Sequence, residues 1–249
     1  MDILNRKFLN KKIIVFAAHP DDIEFYLGGT IAKLTKNNKI YYIIATNGEK
    51  GLKNKLKKNI DKCKIRVTEQ LKAVKIMGIK FVDFMELKDG EVNMCKKLGK
   101  LILEKLNQVK PNIIFSFDPW NDREIHPDHR NIGFCVVDSI IMVSIENVKL
   151  EKIYLYHTHK PNVFSDISEF MSVKLKVNEI HKSQYHEYQK GWIEKKEVII
   201  KIGEMMGRLI DKKFAEAFRE ISLNSAERHI EDVSESLRKL SNYRSNKSS

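Results

Sequence analysis

Short continuous apolar runs alternate along the chain with longer segments in which apolar residues recur at helical spacing. The apolar runs have the length and composition of buried strands, and they cover residues 13–18, 40–46, 81–87, 113–117 and 153–156. The helical segments cover residues 28–37, 67–77, 98–106 and 127–143. Repeated alternation of strand and helix is typical of an α/β fold. We therefore predict a Rossmann-like parallel sheet that is flanked by helices.

The pattern becomes helical after residue 160. Two helices are predicted there, at Ser172–Tyr188 and Lys195–Glu220, as a helical C-terminal extension of the sheet. The last residues are polar, with a short amphipathic pattern between Ile230 and Leu240. No internal repeat or linker separates these parts, so we predict a single domain, 1–249, with an α/β core at 12–160, a helical part at 161–225 and a polar tail at 226–249.

The formal net charge of +12 raises the question of a nucleic-acid partner. The basic residues are mostly lysines that are mixed with acidic residues along the predicted helices, and the sequence contains no known nucleic-acid-binding motif. We therefore predict no nucleic-acid partner. The densest basic stretch, Lys50–Arg66, is interpreted either as a solvated loop and helix face or as an attraction for an anionic substrate.

Neither a membrane span nor a secretory signal is expected. No apolar run reaches the roughly 20 residues that cross a bilayer, and the first residues, MDILNRKFLNKK, lack an apolar signal-peptide core. The three cysteines, Cys63, Cys95 and Cys135, have no CxxC spacing. Together these features predict a cytoplasmic protein.

Polar residues follow four of the predicted strands at the point where each strand ends. In chain order these residues are His19, Glu49, Asp89 and Asp118. The carboxyl ends of parallel strands meet at one edge of the sheet, which is where ligands bind in open α/β folds. We therefore expect these side chains to converge on one site.

The first motif, Ala18-His19-Pro20-Asp21-Asp22, stands where a dinucleotide-binding fold has its glycine-rich loop. Two carboxylates at that place would repel a pyrophosphate, so no nucleotide cofactor is expected. His19 and Asp22 are three residues apart on a turn that Pro20 stiffens. This spacing lets both side chains reach one cation while Asp21 points elsewhere; the alternative is an ordinary hydrogen-bonded turn.

The second motif is His126-Pro127-Asp128-His129. Pro127 suits the first turn of a helix, and the two imidazoles then lie near the same face of that turn. Taken alone, this motif fits a helix cap as well as a site. Both motifs occur in one chain at the ends of neighbouring strands, which favours a hydrolytic metal site with acid–base groups beside the ligands.

These motifs resemble those of a known family. AHPDDIE followed by GGT, then TNGE and HPDH, is similar to the LmbE/PIG-L family of zinc-dependent de-N-acetylases. Arg66-x-x-Glu69, HKSQ at 181–184 and AEAF at 215–218 add to the resemblance. Family members remove acetate from N-acetylglucosaminyl groups that are carried on inositol, phosphatidylinositol, malate or other aglycones. The resemblance therefore implies a hydrolase that acts on a small-molecule amino-sugar conjugate.

The resemblance also implies roles for the residues of both motifs. His19, Asp22 and His129 would bind zinc, although iron(II) accepts the same nitrogen and oxygen ligands. Asp21 would be the general base. Two further catalytic roles are implied for the second motif: His126 would stabilise the oxyanion as a protonated imidazole or protonate the leaving amine, and Asp128 would orient an imidazole.

Substrate-facing residues are implied less specifically. The family positions that meet sugar hydroxyls or orient the site are matched by Glu49, Arg66 and Asp89. The loop before the second motif contributes Asp118 and Arg123. For Arg66, a salt bridge with Glu69 at a helix start is the alternative. Phe25-Tyr26-Leu27 replaces smaller residues of many relatives and is expected to reshape the aglycone pocket. The C-terminal helices are candidates for a pocket wall or a homo-oligomer contact.

Two other functions compete with this interpretation. The same metal chemistry could hydrolyse another small amide or an ester. The chain could instead be a basic binding protein whose metal is only structural, which predicts a closed site of four ligands. The surplus of acid–base groups and the lack of a cysteine cluster favour catalysis.

Overall fold

The computed structural model describes residues 8–51, 62–93, 96–142, 150–185 and 188–222. Its strands are β1 (Lys12–Ala17), β2 (Lys39–Thr46), β3 (Phe81–Leu87), β4 (Ile113–Phe117), β5 (Lys152–Tyr156), β6 (Val163–Asp166) and β7 (Ala215–Ile221). Its α-helices are α1 (Asp22–Leu34), α2 (Lys62–Met77), α3 (Lys96–Val109), α4 (Pro127–Met142), α5 (Met171–Ile180) and α6 (Tyr188–Arg208). None of the helices in these ranges is both long and apolar enough to cross a bilayer.

The described strands form one sheet in the order β3-β2-β1-β4-β5-β7-β6. The first five strands in sequence are parallel, and β7 is antiparallel to both of its neighbours. Strand order reverses between β1 and β4, because the chain winds outward to β3 and then returns to the other side of β1. In open α/β sheets this reversal opens a crevice at the carboxyl ends of the two strands. The two sequence motifs follow these two strands.

The centre of the sheet is covered on both faces. Helices α1, α2 and α5 pack together on one face, whereas α3 and α4 pack together on the other. Strand β1 is therefore fully enclosed, and the five residues from Ile13 to Ala17 have no exposed surface. This enclosure explains why the parallel strands appear in the sequence as continuous apolar runs rather than as alternating ones.

The prediction of an α/β fold is confirmed, and the five predicted strands agree with the structure to within one residue at each end. Helix α1 differs from its prediction because it begins at Asp22 rather than at Gly28. The backbone of Leu27 leaves the helical region, with φ −139° and ψ 20°, and so interrupts the helix. Asp22 thus belongs to the first helical turn after β1.

The predicted helix Lys195–Glu220 is wrong beyond Arg208, because residues 215–221 form β7. The predicted helix Ser172–Tyr188 is also interrupted: α5 ends at Ile180, and a 3₁₀ turn follows at Lys182–Gln184. Alanine, glutamate and arginine in AEAFREI favour a helix, but pairing of β7 with β5 and β6 overrides that local preference. The amphipathic pattern between Ile230 and Leu240 and the polar tail lie outside the described residues.

Strand β7 also fixes helix α1. Glu216 of β7 accepts hydrogen bonds from the backbone N–H groups of Gly29, at 3.0 Å, and Thr30, at 2.7 Å. These two residues follow the interruption at Leu27, so the carboxylate caps the second half of the helix. The buried ammonium group of Lys174 on α5 pairs with the same carboxylate. This cluster gives Glu216 of the motif at 215–218 its role in the fold.

Candidate metal centre and active site

The two motifs meet at the carboxyl ends of β1 and β4. His19 lies in the turn after β1, Asp22 begins α1, and His129 lies in the first turn of α4. His19 Nδ1 is 3.2 Å from His129 Nε2, and Asp22 Oδ1 is 3.4 Å from the same Nε2 atom. Asp22 Oδ2 lies 3.9 Å from His19 Nδ1. The side chains of these three residues therefore converge on one point.

The other ring nitrogen of His19 is surrounded by carboxylates. His19 Nε2 lies 3.2 Å from Asp128 Oδ2 and 3.2 Å from Asp89 Oδ1. The backbone N–H groups of Gly90 and Val92 donate to the Asp128 carboxylate and hold it in place. Carboxylates accept hydrogen bonds, so they favour the tautomer with the proton on Nε2. The lone pair on Nδ1 then faces His129.

His129 is oriented in the same way by Glu124. His129 Nδ1 is 2.7 Å from Glu124 Oε2, and Glu124 Oε1 accepts the backbone N–H of His126 at 2.7 Å. His157 Nδ1 also lies 2.7 Å from Glu124 Oε2. The carboxylate favours a proton on Nδ1 of His129, which leaves a lone pair on Nε2. In the neutral forms of the two rings, their lone pairs therefore face one another.

The surroundings favour positive charge at this point. Burial disfavours a charged ring, but hydrogen bonds to Asp128 and Asp89, together with the charge of Asp22, raise the pKa of His19 to about 10. The pKa of His129 is raised to about 9 against the effect of burial, chiefly by Asp22. Tetrahedral nitrogen and oxygen ligands of a small divalent cation lie about 3.3 Å apart, given bonds of about 2.0–2.1 Å. Two of the three spacings in the His19, Asp22 and His129 cluster are close to this value. Among the described residues, His19, His126 and His129 also offer ligand atoms that lie within 4.8 Å of one another, so the site could hold a metal ion.

Asp22 offers one oxygen to the cluster and uses the other in the turn. Its Oδ2 accepts the backbone N–H groups of Ala18, at 2.9 Å, and His19, at 2.8 Å. These bonds leave Oδ1 facing His129. Burial acts to raise the pKa of Asp22, but the charge of His129 outweighs it and lowers that pKa. Asp22 is therefore an ionised carboxylate in a fixed orientation.

Asp21 belongs to a different set of contacts. Its Oδ1 lies 3.0 Å from Arg66 Nη2, and its Oδ2 lies 3.4 Å from Lys195 Nζ on α6. Burial acts to raise the pKa of Asp21, but Lys195 and Arg66 lower it to about 2. The motif thus separates its two carboxylates: Asp22 faces the imidazoles, and Asp21 faces two cations.

His126 completes the group of imidazoles. Its ring centroid is 4.6 Å from that of His19 and 4.8 Å from that of His129. Its Nδ1 accepts the backbone N–H of Asp128 at 3.3 Å, so the proton of the neutral ring is on Nε2. Burial and the neighbouring rings lower the pKa of His126. The ring is thus placed as a neutral N–H donor.

These side chains surround a cavity of about 400 Å³, a size that suits a small molecule. The cluster and Asp21 lie on its wall, together with His126 and Lys195. Phe25 and Tyr26 line the cavity as well.

Comparison with known proteins identifies the family. Residues 14–140 match PIG-L, described as GlcNAc-PI de-N-acetylase. The chain is 31% identical over 190 residues to the diacetylchitobiose deacetylase of Thermococcus kodakarensis, with 71% of each protein covered. The chain belongs to the PIG-L family.

Further relatives of this PIG-L protein are also described as deacetylases. A probable N-acetyl-α-D-glucosaminyl L-malate deacetylase 2 of Bacillus anthracis is 26% identical, over 70% of this chain and 82% of the relative. The solved structure of the N,N′-diacetylchitobiose deacetylase from Pyrococcus horikoshii superposes with a TM-score of 0.78 at 28% identity, covering 85% of this chain and 84% of that one. The predictions of the family and of a hydrolytic enzyme are confirmed.

The PIG-L site contains most of the residues that the sequence singles out. Those on the cavity wall are His19, Asp21, Asp22, Arg66, Asp89, His126 and His129. Asp128 lies behind the wall and contacts His19. Glu49 does not line the cavity; its Oε1 accepts the backbone N–H of Asp89 at 3.0 Å.

Asp118 and Arg123 do not reach the cavity. The carboxylate of Asp118 is buried, and it accepts hydrogen bonds from Trp120 N–H, at 3.0 Å, and the Thr158 hydroxyl, at 2.6 Å. Arg123 is exposed to solvent, and its backbone N–H donates to the Asn121 side chain at 3.1 Å. Both residues belong to the loop before α4, as the sequence indicates, but neither lines the cavity.

Three residues of the PIG-L site are not predicted from the sequence. Glu124 orients His129, Lys195 contacts Asp21, and the buried side chain of Gln70 holds the turn that carries Asp21. Glu124 could have been suspected, because it stands five residues before His129 in a polar loop. Lys195 and Gln70 stand on helices, where nothing in the local pattern distinguishes them from other polar residues.

Proposed function

We propose that this protein is a zinc-dependent hydrolase that removes the N-acetyl group from an N-acetylglucosamine-type sugar or its conjugate. The products are acetate and a free amine. One observation carries the proposal: two imidazole lone pairs and a carboxylate converge on one point of a cavity, beside a carboxylate that takes no part in that cluster. The substrates named for the relatives, diacetylchitobiose and N-acetylglucosaminyl malate, support the choice of sugar.

In this proposal His19, Asp22 and His129 hold the zinc ion. The donor set suits zinc because the two imidazoles present fixed lone pairs, each with a carboxylate behind it. Zinc, when bound, supplies a Lewis acid that activates water and polarises the amide carbonyl. Iron(II) accepts the same ligands, so the metal used in the cell depends on supply.

Asp21 acts as the general base. Its carboxylate is unligated, ionised and on the cavity wall, where it can take a proton from the attacking water and pass it to the departing amine. Arg66 and Lys195 keep this carboxylate oriented. The low pKa of Asp21 makes it a weak base in the resting protein, so proton transfer depends on the acidity of the activated water.

His126 stabilises the oxyanion that forms when water attacks the carbonyl. The proton on Nε2 is available because Nδ1 is already an acceptor, and a neutral imidazole can donate this hydrogen bond. Asp128 and Asp89 fix the tautomer of His19, and Glu49 holds the backbone of Asp89. Asp89 and Glu49 are therefore assigned to orienting the metal ligands rather than to binding the sugar.

Metal removal and restoration test this proposal. Protein that has been treated with a chelator should release no amine from N,N′-diacetylchitobiose or N-acetylglucosaminyl malate, and stoichiometric zinc should restore the release. A folded, zinc-loaded protein that is inactive on both sugars but hydrolyses another amide or an ester would replace the sugar assignment. Activity that is unaffected by chelation, with zinc shown to be absent, would contradict the role of the metal.

A further inference from the structure

The proposed base has an uncommon backbone conformation. Asp21 has φ 91° and ψ −13°, in the left-handed region that residues with a Cβ atom rarely adopt. Such a conformation persists only where the surrounding structure imposes it. The residues that contact the turn around Asp21 are therefore the ones that impose its left-handed conformation.

Gln70 of α2 makes the contact with the Asp21 backbone. Its Oε1 accepts the Asp21 N–H at 2.9 Å, and its Nε2 donates to Glu24 Oε1 at 2.6 Å. The side chain of Gln70 is fully buried. Because the backbone N–H of Asp21 can only donate, the oxygen end of the amide must face Asp21, and the Nε2 end faces Glu24. The orientation of Gln70 is thus set by its contacts at both ends of the amide.

Glu24 is a rigid anchor for this contact. Its side chain is fully buried, and its backbone carbonyl accepts the Asn178 side chain at 2.7 Å. Its second oxygen, Oε2, lies 3.7 Å from Nε2 of the buried His181. The chain of contacts therefore runs from α5 and the HKSQ segment through Glu24 and Gln70 to the Asp21 backbone.

Arg66 contacts the same turn through the Asp21 carboxylate and the Pro20 carbonyl. It stands one helical turn before Gln70 on the same face of α2. Its Nη2 donates to the Pro20 carbonyl and to Asp21 Oδ1, while its Nη1 donates to the Gly48 carbonyl at 2.8 Å. Two residues of one helix thus fix the backbone and the carboxylate of Asp21 separately.

We propose that Gln70 is a positioning residue for the reaction. It keeps Asp21 in the left-handed conformation, in which the carboxylate faces the cavity and stays apart from the metal ligands. This inference rests on the proposed role of Asp21 as the base. Loss of the amide leaves the N–H of Asp21 without this acceptor, and the turn then relaxes toward a negative φ with a displaced carboxylate.

Steady-state kinetics of Gln70→Met test the inference, because methionine keeps the length of the side chain without its hydrogen bonds. We expect kcat to fall at least tenfold, with KM and zinc content within twofold of the wild type. Thr35→Val is the matched control: the Thr35 hydroxyl also ties α1 to α2, through the Met77 carbonyl at 2.8 Å, but away from the site. The control should lose stability while keeping its kcat.

Crystal structures of the wild type and of Gln70→Met decide the inference without any substrate. A negative φ at Asp21 in the variant supports it, and an unchanged left-handed Asp21 with normal kcat overturns it. If the wild type itself turns over no sugar, the proposed function fails, yet the two structures still show whether Gln70 holds the turn. Gln70→Ala replaces the methionine variant if the latter does not fold.

Discussion

His19 Nδ1 and His129 Nε2 lie 3.2 Å apart, although 110 positions separate the two residues in the chain. They meet because β1 and β4 are parallel neighbours, paired from Ile13 with Ile113 onward. Each ring has a carboxylate behind its other nitrogen, so in the neutral rings the two facing nitrogens carry lone pairs. This arrangement stabilises a cation that binds between the two facing nitrogens.

Replacement of one ring should therefore abolish tight metal binding. His129→Ala is expected to weaken zinc affinity by at least about 100-fold, since three ligands become two. Competition against a chromophoric chelator measures the affinity. His159→Ala is the control, because His159 lies outside the cluster and contacts Asn121. Equal zinc affinity in both variants would refute the assignment of His129.

Substitution of Glu124 should reduce zinc affinity or kcat/KM almost as much as substitution of a metal ligand. Glu124→Gln keeps the size of the side chain but weakens its hydrogen bond to His129 Nδ1, so we expect a loss of about 10- to 100-fold in zinc affinity or in kcat/KM. Asp122→Asn, in the same loop but exposed to solvent, is the matched control and should behave as wild type. A Glu124→Gln variant with unaltered affinity and turnover would show that His129 needs no such support.

His181 should make the stability of the fold sensitive to acid. Burial lowers its pKa to about 4 in the folded protein, whereas the unfolded chain has a value of about 6.5. Between these values the unfolded state binds more protons, so the free energy of unfolding falls as the pH drops from 6.5 to 4. The expected loss is about 3 kcal/mol relative to His181→Gln.

Urea denaturation of both proteins at several pH values from 7 to 4 measures this difference. The stability of the wild type relative to His181→Gln should be constant near pH 7 and decline below it. A difference that does not change with pH would mean that His181 titrates normally in the folded state.

The buried pair of Glu216 and Lys174 should be essential for stability. Glu216→Gln leaves the Lys174 charge buried without its partner and weakens the cap on α1, so we expect a loss of about 3–5 kcal/mol. Glu220→Gln is a control on the same strand, because Glu220 pairs with a partly exposed Lys152 and should cost about 1 kcal/mol or less. Chemical denaturation of the two variants gives both values, and equal losses would contradict this account.

The sequence predicts the parallel strands of the fold and the two motifs that meet at the site, because both depend on local signals. Buried parallel strands are apolar throughout, and the motifs at His19 and His126 follow such strands directly. The partners of the motifs are not local: Gln70 and Lys195 reach Asp21 from helices 49 and 174 positions away. Strand β7 escapes prediction because its residues favour a helix until β5 and β6 pair with it. The predictions of a cytoplasmic location and of a homo-oligomer stay predictions.

The most direct test of the central claim compares zinc-loaded wild type with Asp21→Asn. Amine release would be measured on N,N′-diacetylchitobiose, N-acetylglucosaminyl malate, N-acetylglucosaminyl inositol and free N-acetylglucosamine, with zinc content determined in the same samples. We predict that the wild type deacetylates at least one sugar, and that Asp21→Asn keeps its zinc while kcat falls by about 10²- to 10⁴-fold. Undiminished turnover by Asp21→Asn, or loss of its zinc, would contradict the separation of base and ligand on which the mechanism depends.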